Sequence, residues 1–337
     1  MKIVRYSKKY GKISEIQKNY ITENASNLKN ILKLNKKYSK QKRRKFCKNC
    51  SKKIEKPILI NFKIKYSVCS KCGHLNGIYE NTKNFLDWVY SSAATYYNDK
   101  HYSTNFNDRV KKIYLPKVKF LQQVIKKKIK LVDIGSGGGH FLKALELSKI
   151  SAKGYELSKF LVNLGKSKLK KNKITQITSE EVYQLLNNDK ESNVASLIGV
   201  YEHLEKPDEF MKSFLKSKVD YLYIAVPLVS LSIFVENAFS NVSPRHLSGD
   251  HTHLYTKESL DYFAKKNNLK IVGEWWFGVD FPDLYRALLI SSSSLNKKLF
   301  SKLLNKNLFQ VIDQLQSVLD KNKICSEVHM IFKKNKK

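Results

Sequence analysis

The chain has 337 residues, of which 42% are hydrophobic, so it is long and apolar enough for about two domains with buried cores. Its 63 lysine and arginine residues outnumber its 29 acidic residues and give a formal net charge of +34. No apolar stretch approaches the roughly 18 residues of a membrane-spanning helix, and the first residues lack the apolar segment of a secretory signal. These features argue against a disordered chain and a membrane-spanning protein, and we expect a cytoplasmic location.

The charge has two interpretations. An excess of this size is typical of proteins that bind nucleic acid or an anionic membrane surface. Lysines, however, supply almost all of it and are spread along the whole chain, whereas nucleic-acid readers favour the bidentate side chain of arginine. We favour a solvated basic surface that reflects composition, and keep a polyanion-binding face as the alternative.

The first 127 residues divide into three predicted segments. Residues 1–45 are rich in lysine and asparagine with weak helical periodicity, which predicts a basic helical leader. Residues 46–80 carry two cysteine pairs with a strand-like apolar run between them. Residues 81–127 are predicted to form a helical linker rich in aromatic side chains, among them Tyr96 and Tyr97.

From residue 128 to residue 337, short apolar runs alternate with amphipathic segments. This alternation predicts an α/β fold with a doubly wound, mostly parallel sheet of the Rossmann-like kind. The predicted strands cover residues 130–135, 152–157, 174–178, 194–201, 219–227 and 270–277. Helices are predicted between them, and a helical insertion at 283–320 precedes a final antiparallel strand at 326–334. That strand, placed beside 270–277, would complete a seven-stranded sheet.

The cysteine spacing predicts a metal site. Cys47 and Cys50 form one Cys-x-x-Cys pair, and Cys69 and Cys72 form a second pair after 18 intervening residues. In a reducing compartment this spacing is typical of a structural zinc ion held by four thiolates, with reduced unliganded thiols as the alternative. A closed four-thiolate site leaves no open position, so we expect a structural role. Cys325 stands alone and is expected to be an apolar core residue.

A glycine-rich turn follows the first predicted strand. Gly135, Gly137 and Gly139 alternate with other residues, but position 140 is histidine, so the dinucleotide fingerprint is incomplete. No Gly-Lys-Ser/Thr follows, so a phosphate loop is absent as well. Glu156 ends the next strand, where an acidic side chain can accept hydrogen bonds from ribose hydroxyls. A carboxylate site beside a ribose site, without a phosphate site, fits S-adenosylmethionine better than NAD.

Three segments carry a resemblance to a known family: Asp-Ile-Gly-Ser-Gly-Gly-Gly at 133–139, Tyr-Glu-His-Leu at 201–204, and Asp-His-Thr-His-Leu-Tyr-Thr at 250–256. With them the chain resembles class I S-adenosylmethionine-dependent methyltransferases. The cysteine pairs ahead of this region are similar to those of the sugar C-methyltransferase-like group, which has an N-terminal zinc-binding module. The resemblance implies a sugar nucleotide or polysaccharide precursor as acceptor. It also implies these cofactor-binding residues: Asp133, Gly135, Gly137, Gly139, Glu156 and Tyr201.

Transfer to an oxygen or carbon nucleophile requires removal of a proton, and histidine suits that task near neutral pH. His203, just past the fourth strand, is the first candidate for base or acceptor-positioning residue through the resemblance. His253, in a loop expected to fold over the acceptor, is the second. Both have a structural alternative, and a metal cluster of His253 with His246, Asp250 and His251 is a further one.

Three functions remain open on the sequence alone. The favoured one is a methyltransferase for a small molecule or glycan precursor. The second is an RNA or protein methyltransferase that docks through the basic leader and the zinc module. The third is a non-catalytic binding module, against which Glu156 and the three glycines argue.

Overall fold

The computed structural model describes residues 2–10, 19–92, 102–249, 251–292 and 296–335. The strands in these ranges are β1 (Ile3–Tyr6), β2 (Leu59–Asn61), β3 (Ile64–Val68), β4 (Leu75–Gly77), β5 (Lys130–Ile134), β6 (Ser151–Glu156), β7 (Lys173–Gln176), β8 (Val194–Ile198), β9 (Tyr221–Pro227), β10 (His253–Leu254), β11 (Leu269–Phe277) and β12 (Glu327–Lys334). The α-helices are α1 (Asn19–Thr22), α2 (Asn24–Tyr38), α3 (Lys83–Ser92), α4 (Phe106–Arg109), α5 (Leu115–Val124), α6 (His140–Leu147), α7 (Lys159–Lys168), α8 (Pro207–Lys216), α9 (Leu231–Ala238), α10 (Lys257–Lys266), α11 (Asp280–Ser291), α12 (Lys297–Asn307) and α13 (Ile312–Lys321).

The central sheet has eight strands in the order β1-β11-β12-β9-β8-β5-β6-β7. All neighbouring strands are parallel except β12, which runs antiparallel to both β11 and β9. Helices connect the parallel strands, as the alternation of apolar runs and amphipathic segments requires. The predicted α/β fold with a doubly wound, mostly parallel sheet is confirmed, and the final strand lies beside 270–277 as predicted.

The eighth strand corrects the expectation of seven strands, and it lies at the start of the predicted helical leader. Ile3–Tyr6 pairs in parallel with β11, so that Ile3 lies opposite Gly273. The Arg5 guanidinium lies 4.2 Å from the centre of the Trp275 ring, a cation–π contact that covers this edge of the sheet. The four residues of β1 are too few to show a hydrophobic period, and the strand with which they pair, β11, is far away in sequence. The helical prediction holds within the leader for Asn24–Tyr38.

Two apolar cores cover the two faces of the central sheet. Alternate residues of β9 join different cores, since Leu222 packs with the first and Tyr223 with the second. The first core includes Phe210 and Phe332, and the second includes Trp275. Burial on both faces explains why these strands read as continuous apolar runs in the sequence.

A second sheet joins the cysteine region to the main domain. Its strands follow the order β10-β4-β3-β2, and β10 pairs antiparallel with β4 so that His253 lies opposite Asn76. Helix α2 packs beside it, where the Asn35 amide donates to the Phe62 carbonyl at 2.9 Å. The cysteine region and the segment before α10 therefore form one structural unit.

The remaining segments agree with the expected helices. The predicted insertion at 283–320 is helical in its described part, as α11, α12 and α13. Within the described ranges, no helix is both long enough and apolar enough to cross a bilayer. Tyr96, Tyr97 and Asp250 lie outside the described residues.

Candidate functional site

The glycine turn lies at the carboxyl end of β5, and its backbone requires glycine. Gly135, Gly137 and Gly139 have φ angles of +70°, +54° and +81°, which side-chain-bearing residues rarely adopt. A Cβ atom on Gly135 would lie 2.5 Å from a methyl carbon of Val200. The bare backbone therefore packs directly against the segment that follows β8. This places the glycine turn and residues 200–203 at one edge of the sheet.

Glu156 lies beside the glycine turn, as predicted. One carboxylate oxygen accepts the Gly137 amide at 2.8 Å, and the other accepts the amides of Leu157 at 2.9 Å and Ser158 at 3.0 Å. Burial raises the pKa of Glu156, and these amides oppose that change by stabilising the charged form. A carboxylate has about four acceptor positions, so one position remains for a ribose hydroxyl.

Asp133 and Tyr201, the other two predicted cofactor residues, are directed into the interior. The Ser196 hydroxyl donates to the Asp133 carboxyl group at 2.6 Å, and burial raises the pKa of this group to about 7. The Tyr201 ring packs edge-on against Phe210 and Phe263, with centroid distances of 6.2 and 5.4 Å. Its side chain is part of the first core, so a cofactor contact through the ring does not fit this position.

The aromatic linker covers the glycine turn. The rings of Phe106 and Tyr114 stack on His140 at centroid distances of 4.2 and 5.3 Å. Tyr102 lies next to Gly137, since a Cβ atom there would be 3.7 Å from its ring. The sequence showed the aromatic richness of this segment, but not that it closes one side of the predicted cofactor cleft.

A cluster of polar side chains follows β8. The ligand atoms of Glu202, His203 and His251 all lie within 4.8 Å of one another. A nitrogen of His203 is 3.8 Å from a carboxylate oxygen of Glu202, and the rings of His203 and His251 meet edge-on at 4.6 Å. The sequence placed His203 and His251 in separate segments and gave Glu202 no role, whereas the structure brings all three together.

His253 occupies a buried strand, which corrects the expectation of a loop over the acceptor. It is 1% exposed and stacks on His74 at a centroid distance of 5.6 Å. Burial, followed by the nearby charges of Lys48 and Arg44, lowers the pKa of His253 well below its usual value. Among the described residues, neither ring nitrogen has a hydrogen-bond partner. In this position the His253 side chain is better suited to packing within the second sheet than to proton transfer from an acceptor.

Among the described residues, His246 does not join His251 and His253 in a group that could hold a metal ion. A His246 ring nitrogen lies 3.3 Å from one carboxylate oxygen of Asp283, and Arg245 donates to the other oxygen at 2.9 Å. Burial opposes a charge on His246, but its hydrogen bond to Asp283 and the nearby Glu236 raise its pKa. His246 therefore belongs to a buried ion network that joins α9 and α11, away from His251 and His253.

Lys48 is a site residue that the sequence reading missed. It lies inside the first Cys-x-x-Cys pair, and its ammonium group donates to the backbone carbonyl of Glu202 at 2.7 Å. Its backbone amide donates to the Asn76 side chain at 2.9 Å. Burial lowers the pKa of Lys48 well below its usual value. A lysine between paired cysteines is an ordinary surface residue in sequence terms, so no signal marked this contact.

The four paired cysteines meet in a compact, buried cluster. The sulfur of Cys47 lies 3.7 Å from that of Cys72, and the sulfur of Cys50 lies 3.4 Å from that of Cys69. None of these cysteines forms a disulfide bond. Four sulfurs around a tetrahedral zinc ion at about 2.3 Å would lie about 3.8 Å apart. The donor set and its spacing therefore fit zinc closely.

The cysteine cluster rests on helix α10 of the main domain. The Asn49 side chain donates to the Ser259 carbonyl at 2.9 Å, and Tyr262 packs against the cysteines. Gly73 has a φ of +71°, and a Cβ atom there would lie 2.8 Å from the Thr256 hydroxyl. These contacts fix the cluster against the segment that contains β10 and the start of α10.

The comparisons with known proteins agree with this architecture. A family model described as a methyltransferase domain matches residues 106–274, which make up half of the chain. The chain therefore belongs to this methyltransferase family. It is an S-adenosylmethionine-dependent methyltransferase, the class of enzyme that the three sequence segments indicated. A search of curated protein sequences found no match.

Solved structures with a similar fold have low sequence identity. A SAM-dependent methyltransferase from Archaeoglobus fulgidus is 18% identical, covers 71% of this chain and 99% of its own, and gives a TM-score of 0.43. Magnesium protoporphyrin IX methyltransferase from Synechocystis PCC 6803 with bound SAH is 10% identical, covers 75% of this chain and 100% of its own, and gives a TM-score of 0.47. A plantazolicin methyltransferase in complex with SAH is 15% identical, covers 75% of this chain and 97% of its own, and gives a TM-score of 0.45.

Proposed function

We propose that this enzyme methylates a small, oxygen-rich acceptor, namely a sugar nucleotide or another glycan precursor. The observation that carries the proposal is the polar cluster of Glu202, His203 and His251 beside the glycine turn. The aromatic linker bounds this edge of the sheet on one side, and the cysteine region with Lys48 bounds it on the other. A space enclosed in this way favours a small polar molecule over a folded nucleic acid.

The cofactor would bind at the carboxyl ends of β5 and β6. The backbone of Gly135, Gly137 and Gly139 would approach its amino-acid end, next to the start of α6. Glu156 would accept a ribose hydroxyl with its remaining acceptor position. When bound, the cofactor supplies an electrophilic methyl group, so the main task of the chain is to hold the acceptor in line in a site with little water.

His203 is the residue that we propose for acceptor binding or proton removal. It follows β8 directly, and its side chain is 10% exposed, so it lies at the rim of the cluster rather than in the core. His253, in contrast, is enclosed by the second sheet. We assign His253 a supporting role behind His203.

The four paired cysteines are proposed to hold a structural zinc ion. All four are buried, and the Asn76 side chain donates to the Cys47 sulfur at 3.4 Å, as expected for a partner that orients a thiolate ligand. Zinc would fix the turn that carries Lys48 against Glu202. Cysteines that form no disulfide bond are typical of a reducing environment, which supports a cytoplasmic location for the enzyme.

Titration calorimetry with S-adenosylmethionine, then with RNA at two salt concentrations, tests the choice of acceptor. We expect cofactor binding and no salt-dependent binding of RNA. Labelled methyl transfer to a panel of nucleotide sugars should then exceed transfer to RNA or protein. Strong RNA binding that weakens with salt, together with RNA methylation, would favour the second function instead.

The substitution His203→Ala tests the acceptor site. We expect cofactor affinity to change little while turnover falls at least about 100-fold, the lower range for loss of a positioned general base. Lys206→Ala is the matched control, since this side chain lies three positions further on and is 55% exposed. Turnover that is equal in the two variants would remove His203 from the mechanism.

A further inference from the structure

The environment of the Glu202 carboxylate is unusual for a buried ionisable group. The residue is 3% exposed, and neither carboxylate oxygen has a hydrogen-bond partner among the described residues. Burial of an unpaired carboxylate costs several kcal/mol, so such groups are normally paired or bound to a metal. The nearby Lys48 ammonium group does not fill this role, because it donates to the backbone carbonyl of Glu202.

The neighbours of Glu202 are metal-binding side chains. His203 and His251 each present a ring nitrogen, and with a Glu202 oxygen these atoms lie within 4.8 Å of one another. Ligands bound at about 2.0 to 2.2 Å lie up to roughly 4.4 Å apart. The His203–Glu202 separation of 3.8 Å already satisfies this limit. The separations to His251 are at most 4.8 Å, which is close to this limit.

The donor set defines the class of ion. Two imidazoles and one carboxylate suit divalent first-row transition cations such as Mn²⁺, Fe²⁺ and Zn²⁺. Three protein ligands leave open coordination positions, in contrast to the closed set of four thiolates. The cluster also adjoins the cofactor turn, because Val200, two residues before Glu202, packs against Gly135.

We propose that Glu202, His203 and His251 bind a divalent transition cation whose open positions take an oxygen atom of the acceptor. The role in acceptor binding rests on the proposed function, whereas the ion site itself stands on the geometry. The cation satisfies the buried carboxylate and orients the acceptor toward the cofactor. His203 then acts by holding the ion and not as a free base.

Manganese binding tests the site. Mn²⁺ favours oxygen and nitrogen ligands, so the full chain with zinc on its cysteines is titrated with Mn²⁺ and the free ion is followed by electron paramagnetic resonance. We expect one Mn²⁺ site per chain, with affinity reduced at least tenfold in Glu202→Gln and in His251→Asn. Glu209→Gln is the control, since this exposed acid lies outside the cluster and should bind Mn²⁺ like the wild type.

Zinc content by mass spectrometry provides a second measurement. With excess zinc, the wild type should retain two ions per chain, and each ligand variant should retain the one on the cysteines, which also shows that the variant is folded. Absence of both Mn²⁺ and a second zinc ion in the wild type would overturn the proposal, as would unchanged affinity in both ligand variants. Full methyl transfer in EDTA with intact cysteine zinc would refute the role in acceptor binding but leave the proposed function standing.

Discussion

A substitution at Gly135 offers a direct test of the cofactor turn. Gly135 and Gly199 have nearly the same positive φ angle, +70° and +68°. Their surroundings differ, because a Cβ atom at Gly135 would lie 2.5 Å from a Val200 methyl carbon, whereas one at Gly199 meets nothing within 4 Å. The variants Gly135→Ala and Gly199→Ala therefore place a side chain at a similar positive φ angle but differ in steric overlap.

The expected magnitudes follow from this difference. A left-handed backbone costs roughly 1–2 kcal/mol for a residue with a side chain, and both variants lose this much free energy of unfolding. Overpacking adds about 1–3 kcal/mol at Gly135 alone, because the added Cβ would overlap Val200, which packs against the first core. Gly135→Ala should therefore be less stable than Gly199→Ala by about 1–3 kcal/mol.

Urea unfolding measures the two free energies, and calorimetry measures the affinity for S-adenosylmethionine. We expect the affinity to fall more in Gly135→Ala, since the turn itself must move. If the two variants have the same stability within about 0.5 kcal/mol, the turn does not pack against Val200 as described and the reasoning is refuted.

Three further results are expected. Cys69→Ser should lower the zinc content and the midpoint of thermal unfolding, whereas Cys325→Ser, which alters the cysteine outside the cluster, should leave the zinc content unchanged. Asp283→Asn should cost about 3–5 kcal/mol in urea unfolding, because it removes the buried carboxylate charge that faces Arg245 and His246, while Asp261→Asn at the surface should cost less than about 1 kcal/mol. The pKa of Asp133 is raised from 3.8 to about 7, so the folded state binds its proton more tightly. Stability should fall between about pH 4 and pH 7, and Asp133→Asn should remove this part of the slope.

Much of the fold was predictable because the main sheet is buried on both faces. Most strands of the main sheet from Lys130 onward contain an apolar run bounded by turns, and the crossover helices have an apolar face. Ile3–Tyr6 was missed because its strand conformation depends on the open edge of β11 and not on its own period. The pairing of β10 with β4 joins residues about 180 positions apart, which local patterns do not encode.

The site was predictable where chemistry requires a particular residue at a particular spacing. The three glycines have positive φ angles, Glu156 lies against the turn, and the four paired cysteines lie together in one cluster. Placement of the histidines was less predictable, since a histidine after a strand has the same sequence pattern whether it faces a cleft or another ring. His253 stacks on His74 and His246 joins Asp283, and both partners lie in distant segments.

The pairing of β4 with β10 has a practical consequence for dissecting this enzyme. A shortened chain that starts at residue 128 would retain the family-typical sheet but would lack both β1 and the strand that supports His253. It would also lack Lys48 beside Glu202. The smallest unit expected to fold as described thus includes the leader and the cysteine region, so if the proposed zinc ion binds there, its loading would also control how residues 201–203 are positioned.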